Sequence, residues 1–252
     1  MKNWNKEITT ELYADGADLE GIKTAANDPN ITGFTTNPTL MRQAGVTDYK
    51  AFALEAIEYL KENRPDTNLS LEVFADDEES MYAQAKEINS WANGYDVFIK
   101  IPVTNTKGEP TYNLINRLSN EGIKVNVTAI FTYRQSCEVV DALNLDTPSI
   151  ISIFAGRIAD AGIDPVRLID ECTEYYDNVK TSSSKAKFLW ASSREAFNYN
   201  HAKRCGCDII TMTPDLIKKV NGFGKDLKQF SLETVQMFFN DAQASGFTID
   251  VT

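Results

Sequence analysis

Short runs of apolar and β-branched residues alternate with longer amphipathic stretches along the whole chain. The runs read as strands at Glu11–Asp15, Ile31–Thr35, Leu69–Ala75, Asp96–Pro102, Lys124–Thr128, Ser149–Ala155, Ala186–Ser192 and Asp208–Met212. Between them, segments such as YKAFALEAIEYLKEN, EESMYAQAKEINSWANG and PVRLIDECTEYYDNV repeat apolar positions at helical spacing. Such alternation marks βα units in a parallel sheet. Eight units without a long linker predict an α/β fold of the closed (β/α)8, TIM-barrel type rather than an open doubly wound sheet. One domain over residues 1–252 is expected, with SLETVQMFFNDAQASG as an additional C-terminal helix.

Within each strand, side chains alternate between two faces, and the face toward the helices should be apolar. Leu12 and Ala14 then leave Asp15 inward; Leu71 and Val73 turn Glu72 inward; Val97, Ile99 and Ile101 turn Lys100 inward beside Phe98. By the same rule Val125 and Val127 place Asn126 and Thr128 inside, and Ile151 and Ile153 place Ser152 and Phe154 inside. In the seventh strand, Leu189 and Ala191 read as outward, with Trp190 and Ser192 inward. A barrel interior built only for stability is filled by Val, Ile and Leu. Polar residues at inward positions, mostly near strand C-termini, instead imply one hydrogen-bonded cluster, because buried polar groups cost free energy without partners. Barrel active sites lie at that face.

Composition narrows the function. Hydrophobic residues make up 42% and charged residues 24% of the 252, as in ordinary globular proteins. The net charge of −11 disfavours nucleic acid and anionic membranes, while leaving room for a local cationic site. The N-terminus MKNWNKEITT has no apolar core and no run approaches ~18 apolar residues, so the expectation is a soluble, cytoplasmic protein without membrane contact. Four scattered cysteines read as reduced thiols. Cys205-Gly206-Cys207 lacks the ligand set of a zinc site, with only His201 nearby, so no metal is expected. His201, the one histidine, reads as a partly exposed residue on the helix EAFNYNHAKRCG rather than part of a Ser-His-Asp triad. There is no G-x-G-x-x-G, P-loop or H-E-x-x-H, and no cofactor is expected.

The stretch V-F-I-K-I-P, Val97 to Pro102, carries the sharpest chemical signal. A lysine at a strand end can simply extend its ammonium to water. Turned inward among polar neighbours, Lys100 instead reads as an amine whose ammonium form burial disfavours, able to attack a ketone and form a Schiff base. Cleaving a carbon–carbon bond beside the resulting iminium needs a base for a hydroxyl proton, and Asp15 and Glu72 are the inward carboxylates, one of them able to work through a water held by Thr128. Asn37 and Asn126 can hold substrate hydroxyls. Arg157, Arg194 and Ser192, after the sixth and seventh strands, can grip a phosphate. Plainer roles exist for several of these. Asn37-Pro38 suits a helix N-cap, Asp15 in DGAD suits a turn with Asp18 as the next cap, and Thr128 suits strand packing. Phe154 and Trp190 suit core packing, and the two arginines suit surface ion pairs.

The stretches ADGADLEGIK, GFTTNPTLM, SLEVFADD, VFIKIPVTN, VNVTAIFT, ISIFAGRIADAGIDP, LWASSREAFN and CDIITMTPDLI together resemble the transaldolase family over nearly the whole chain. The resemblance implies a metal-free class I aldolase-type barrel acting on small sugar phosphates. Lys100 would form the Schiff base, Asp15 would act as acid and base, and Glu72 with Thr128 would hold the catalytic water. Asn37 and Asn126 would bind hydroxyls, Ser152 and Phe154 would line the donor pocket, and Arg157, Ser192 and Arg194 would hold the phosphate. The implied reaction transfers a dihydroxyacetone unit from sedoheptulose 7-phosphate or fructose 6-phosphate to an aldose phosphate, in the pentose phosphate pathway. The family's fructose 6-phosphate aldolase branch carries Gln at the position of Glu72 and Tyr at that of Phe154, so both positions resemble the transferase branch. A free aldolase, a transferase for a sulfonated ketose and a silent sugar-phosphate-binding barrel remain the alternatives. The short chain leaves open whether it forms a homo-oligomer.

Overall fold

The computed structural model describes residues 10–251; the N-terminal reading at residues 1–9 lies outside the described residues. Eight strands follow one another in order: β1 (Glu11–Asp15), β2 (Ile31–Thr35), β3 (Asn68–Glu72), β4 (Asp96–Pro102), β5 (Val125–Ile130), β6 (Ser149–Ile153), β7 (Ala186–Trp190) and β8 (Ile209–Met212). Each pairs in parallel with the next, and β8 returns to β1, closing the barrel. Around them run α1 (Leu19–Ala26), α2 (Pro38–Gln43), α3 (Tyr49–Asn63), α4 (Glu78–Trp91), α5 (Tyr112–Asn120), α6 (Tyr133–Ala142), α7 (Ala155–Asp160), α8 (Pro165–Val179), α9 (Asn198–Arg204), α10 (Pro214–Val220) and α11 (Leu227–Ala244). The expected α/β barrel and C-terminal helix are both present. Among the described residues, no helix is long and apolar enough to cross a membrane.

Local chemistry sets the helix starts. Asp18, Asp48, Asp77 and Asp164 each accept a backbone N–H of the first turn, and Thr132 with Gln135 forms a capping box. Asn37 caps α2 ahead of Pro38, the role its dipeptide suggested. The outward strand faces and the inner helix faces form one large apolar core. Fully burying each Leu or Ile there contributes about 1.5–3 kcal/mol before conformational entropy is counted. A second, smaller cluster of Tyr13, Phe98, Ile150, Leu189, Ala191 and Ile209 fills the barrel itself. Tyr13 lies flat over Gly33, where a Cβ would come within 2.5 Å of the ring, and its hydroxyl accepts from Asn68 Nδ2 at 2.7 Å. The polar cluster rests on this apolar floor.

Several strand limits differ from expectation. β3 stops at Glu72 and β6 at Ile153, so Phe154 precedes α7 instead of extending a strand. The parity of β7 is reversed. Leu189 and Ala191 belong to the interior cluster, whereas Trp190 packs in the outer core and stacks on His201 of α9 at 6.1 Å between ring centroids. Ser192 lies beyond β7, at φ +64, where strand alternation no longer fixes a side chain's face. The helix α11 has no buried residue, and Leu227, Val235, Phe238 and Phe239 are exposed on it.

Candidate active site

The register of the barrel aligns Glu72 of β3 with Lys100 of β4, and Lys100 with Asn126 of β5. All three side chains alternate inward from strands whose other face is Leu, Ile and Val, so the sheet itself brings them to one level. Lys100 is 7% exposed. Its Nζ donates to Glu72 Oε2 at 2.9 Å and to the Thr36 carbonyl at 2.7 Å. That carbonyl is free because β2 ends at Thr35 and the chain turns into α2 at Asn37-Pro38.

Asp15, at the end of β1, accepts from Thr35 Oγ1 at 2.9 Å, and that hydroxyl also contacts Thr211 Oγ1 of β8 at 2.5 Å. Burial pushes the Asp15 carboxyl above its ordinary range. The charge of Lys100 and hydrogen bonds from Thr35 and Asn37 pull it back down, while Glu72 adds to the rise. Asn37 therefore serves twice: its Oδ1 accepts Leu40 N–H at 3.0 Å as the cap, and its side chain reaches Asp15.

Asn126 is fully buried between Ser70, to which its Nδ2 donates at 3.0 Å, and Ser152, whose hydroxyl donates to its Oδ1 at 2.7 Å. Thr128 is buried two residues further along β5. Next to it Ala129 takes φ +59, where the β5–β6 register shifts. A non-glycine residue held there costs on the order of 1–3 kcal/mol, and such strain gathers at functional sites. Phe154 lies half-buried over the interior cluster, its ring 5.6 Å from that of Phe131.

Arg157 is exposed on α7, and Arg194 follows β7. Arg194 is paired with Asp160, its Nη2 2.6 Å from Oδ2. The ion pair read as the plain alternative is thus present, and an incoming anion would compete with Asp160 for Arg194. One close approach brings these loops together. A Cβ on Gly156 would lie 1.6 Å from the Ser192 carbonyl oxygen and 3.1 Å from Arg194 Cγ, so only glycine fits between Ala155 and Arg157. Gly156→Ala is expected to push the two loops apart, costing about 3 kcal/mol or more as backbone meets backbone. Thermal melting would show the loss.

A cavity of about 380 Å³ adjoins Asp15, but Ala14, Ile22, Phe34 and Leu40 line it on the helix side of the strands, and neither Lys100 nor Glu72 reaches it. It lies outside the cluster around Lys100. Among the described residues, no group of three His, Cys, Asp or Glu side chains converges as a metal site. Cys205 and Cys207 are buried with sulfurs 4.0 Å apart, and burial pushes the Cys207 thiol up.

Sequence parity missed Thr35, Ser70 and Thr211. Phe34 facing the outer core would have turned Thr35 inward by the same rule; the run Ile209-Ile210-Thr211-Met212 is too uniformly apolar to reveal its parity. The Thr36 carbonyl and the Tyr49 hydroxyl, which bonds the backbone of Glu72, carry no periodic signal at all.

A closed parallel barrel with a buried lysine, two carboxyl groups and hydroxyl and amide groups gathered at its strand C-termini has its polar cluster at the face where barrel enzymes carry their active sites. The family description Transaldolase/Fructose-6-phosphate aldolase matches residues 12–251. A protein named "Probable transaldolase" from Dehalococcoides mccartyi is 32% identical over 201 residues, covering 80% of this chain and 85% of that one. Another of that name from Methanococcus maripaludis is 31% identical over 233 residues, covering 89% and 99%. In three dimensions, the crystal structure named "a putative fructose-1,6-biphosphate aldolase" from Coccidioides immitis superposes with a TM-score of 0.55 at 13% identity, over 82% of this chain and 74% of that one. That likeness shows the barrel fold alone. The chain belongs to the transaldolase/fructose-6-phosphate aldolase family.

Proposed function

We propose that the protein is a transaldolase, moving a dihydroxyacetone unit from a ketose phosphate to an aldose phosphate through a Schiff base on Lys100. The observation that carries this reading is the buried Lys100 Nζ, 2.9 Å from Glu72 in the same polar cluster as Asp15. Replacing a buried ion pair by apolar residues is often neutral or stabilising, so neither stability nor simple binding calls for this one.

Each step has a residue to serve it. Nζ, after yielding a proton to Glu72 directly or through a water beside Thr128, attacks the ketose carbonyl carbon, and the carbinolamine loses water to give the iminium. Asp15 takes the proton of the hydroxyl carried by the far carbon of the bond to be broken, the carbon that becomes the aldehyde. That carbon–carbon bond then cleaves, its electron pair passes to the iminium to form an enamine, and an aldose phosphate departs. The enamine attacks the aldehyde of an acceptor, Asp15 returns the proton, and water releases the new ketose. Raised by burial, the Asp15 carboxyl is suited to both halves of that exchange. Asn126, fixed by Ser70 and Ser152, and Asn37 would orient donor hydroxyls. Arg157, Ser192 and Arg194 would hold the phosphate, with Arg194 leaving Asp160. Sedoheptulose 7-phosphate and fructose 6-phosphate are the proposed donors, as in the pentose phosphate pathway.

Borohydride reduction in the presence of fructose 6-phosphate, followed by peptide mapping, tests the reading. A three-carbon adduct on Lys100 that diminishes when erythrose 4-phosphate is added supports transfer. An adduct accompanied by rapid release of free dihydroxyacetone without acceptor moves the reading to aldolase. No adduct with either proposed donor overturns it.

A further inference from the structure

The Tyr49 hydroxyl stands in for a missing strand. In the parallel ladder between β2 and β3, Thr36 N–H donates to the Ser70 carbonyl at 3.3 Å. The next rung of such a ladder would run from Glu72 N–H to the Thr36 carbonyl. It is not made. The Thr36 carbonyl accepts Lys100 Nζ at 2.7 Å instead, and Glu72 N–H donates to the Tyr49 hydroxyl at 2.9 Å. The same hydroxyl donates to the Glu72 carbonyl at 3.0 Å, so one oxygen both receives and gives as a neighbouring strand would. Tyr49 opens α3, and its ring is seated edge-on against Phe74 at 4.6 Å and Trp91 of α4 at 5.9 Å between centroids. Burial pushes the phenol up, which keeps it neutral and able to do both.

We propose that Tyr49 is a positioning residue: by occupying the open rung at Glu72 it holds the Glu72 carboxylate on Lys100 and keeps the Thr36 carbonyl for the lysine. The role in turnover rests on the Schiff-base reading of Lys100 and Glu72; the role in the contact itself does not. Without the hydroxyl, Glu72 N–H is free to close the rung on Thr36. That removes one of the two acceptors of Lys100 Nζ and shifts the end of β3 that carries the carboxylate.

Two measurements on wild type, Tyr49→Phe, Glu72→Gln and the double variant test this. The first is the rate at which formaldehyde and cyanoborohydride methylate Lys100 at one fixed pH, read by peptide mass, which needs no substrate. Lys100 faces two acidic groups, Glu72 from β3 and Asp15 from β1. Loosening the first should speed labelling by at least about threefold in Tyr49→Phe, with a clearly smaller further change when Tyr49→Phe is added to Glu72→Gln, where only the Thr36 acceptor is still at stake. The second is kcat on the ketose phosphate. Tyr49→Phe should lower it about 10- to 100-fold with KM nearly unchanged, and should add little to the loss in Glu72→Gln. An unchanged labelling rate in Tyr49→Phe, or an equal increase in the Glu72→Gln background, overturns the proposal, as does a Tyr49→Phe chain that does not fold. Labelling that responds as expected in a protein that forms no ketose adduct would uphold the positioning role and fail only the proposed reaction. Trp91→Leu, which loosens the ring's seat and keeps the hydroxyl, should lower the melting temperature and leave the labelling rate alone.

Discussion

Lys100→Arg should leave the barrel folded and abolish turnover, with any residual rate at least about 10⁴-fold below wild type. The guanidinium keeps the positive charge and can still donate to Glu72 and to the Thr36 carbonyl, the two partners of Nζ. It stays protonated in proteins and offers no free amine, so no imine forms. The wider head must fit where the lysine is 7% exposed, at a cost of about 1–3 kcal/mol that a melting curve would detect. Turnover and borohydride trapping should vanish together while the melting transition persists. A variant retaining activity would mean that the carbon–carbon bond is broken without covalent attachment to this residue, and the Schiff-base reading would fail.

The parts of this site that sequence pattern could reach are those a strand displays. Asp15, Glu72, Lys100, Asn126, Thr128 and Ser152 each alternate with apolar residues in strands packed against helices on one side only, so a polar side chain at the inward position stands out. In β7 the rule failed because Ser192, taken as the inward polar residue, lies beyond the strand, while Lys187, whose parity matches Leu189 and Ala191, sits at the other end paired with Glu11; a large aromatic ring also fits the outer core as well as the interior. Beyond the strand ends alternation no longer applies. Phe154 and Ser192 sit in turns, and the Arg194–Asp160 pair joins loops after different strands. The interrupted rung at Thr36 was least legible. It depends on where two strands stop relative to each other and on a tyrosine 23 residues before its partner, and neither leaves a mark in local pattern.

Asp15→Asn separates what the site costs from what it does. The amide is close in shape and can still accept from Thr35 Oγ1, so the network at the end of β1 should survive. Activity should not, because an amide cannot exchange the hydroxyl proton; a fall in kcat of about 10²–10⁴-fold is expected. Stability should move the other way. Burial raises the folded-state pKa of Asp15 above its unfolded value, so over the interval between the two the folded chain binds more protons than the unfolded one. The carboxyl is therefore easiest to accommodate below its unfolded value near 3.8, and stability is lost as pH rises through the higher folded value. The asparagine variant lacks this penalty. Its melting temperature relative to wild type should rise from pH about 4 to about 7 and end no lower than wild type. If wild type instead gains on the variant across that range, attraction to Lys100 outweighs burial. Asp15 would then be a structural counter-ion held in its charged form, and its place as the proton carrier between hydroxyl and solvent would have to pass to Glu72.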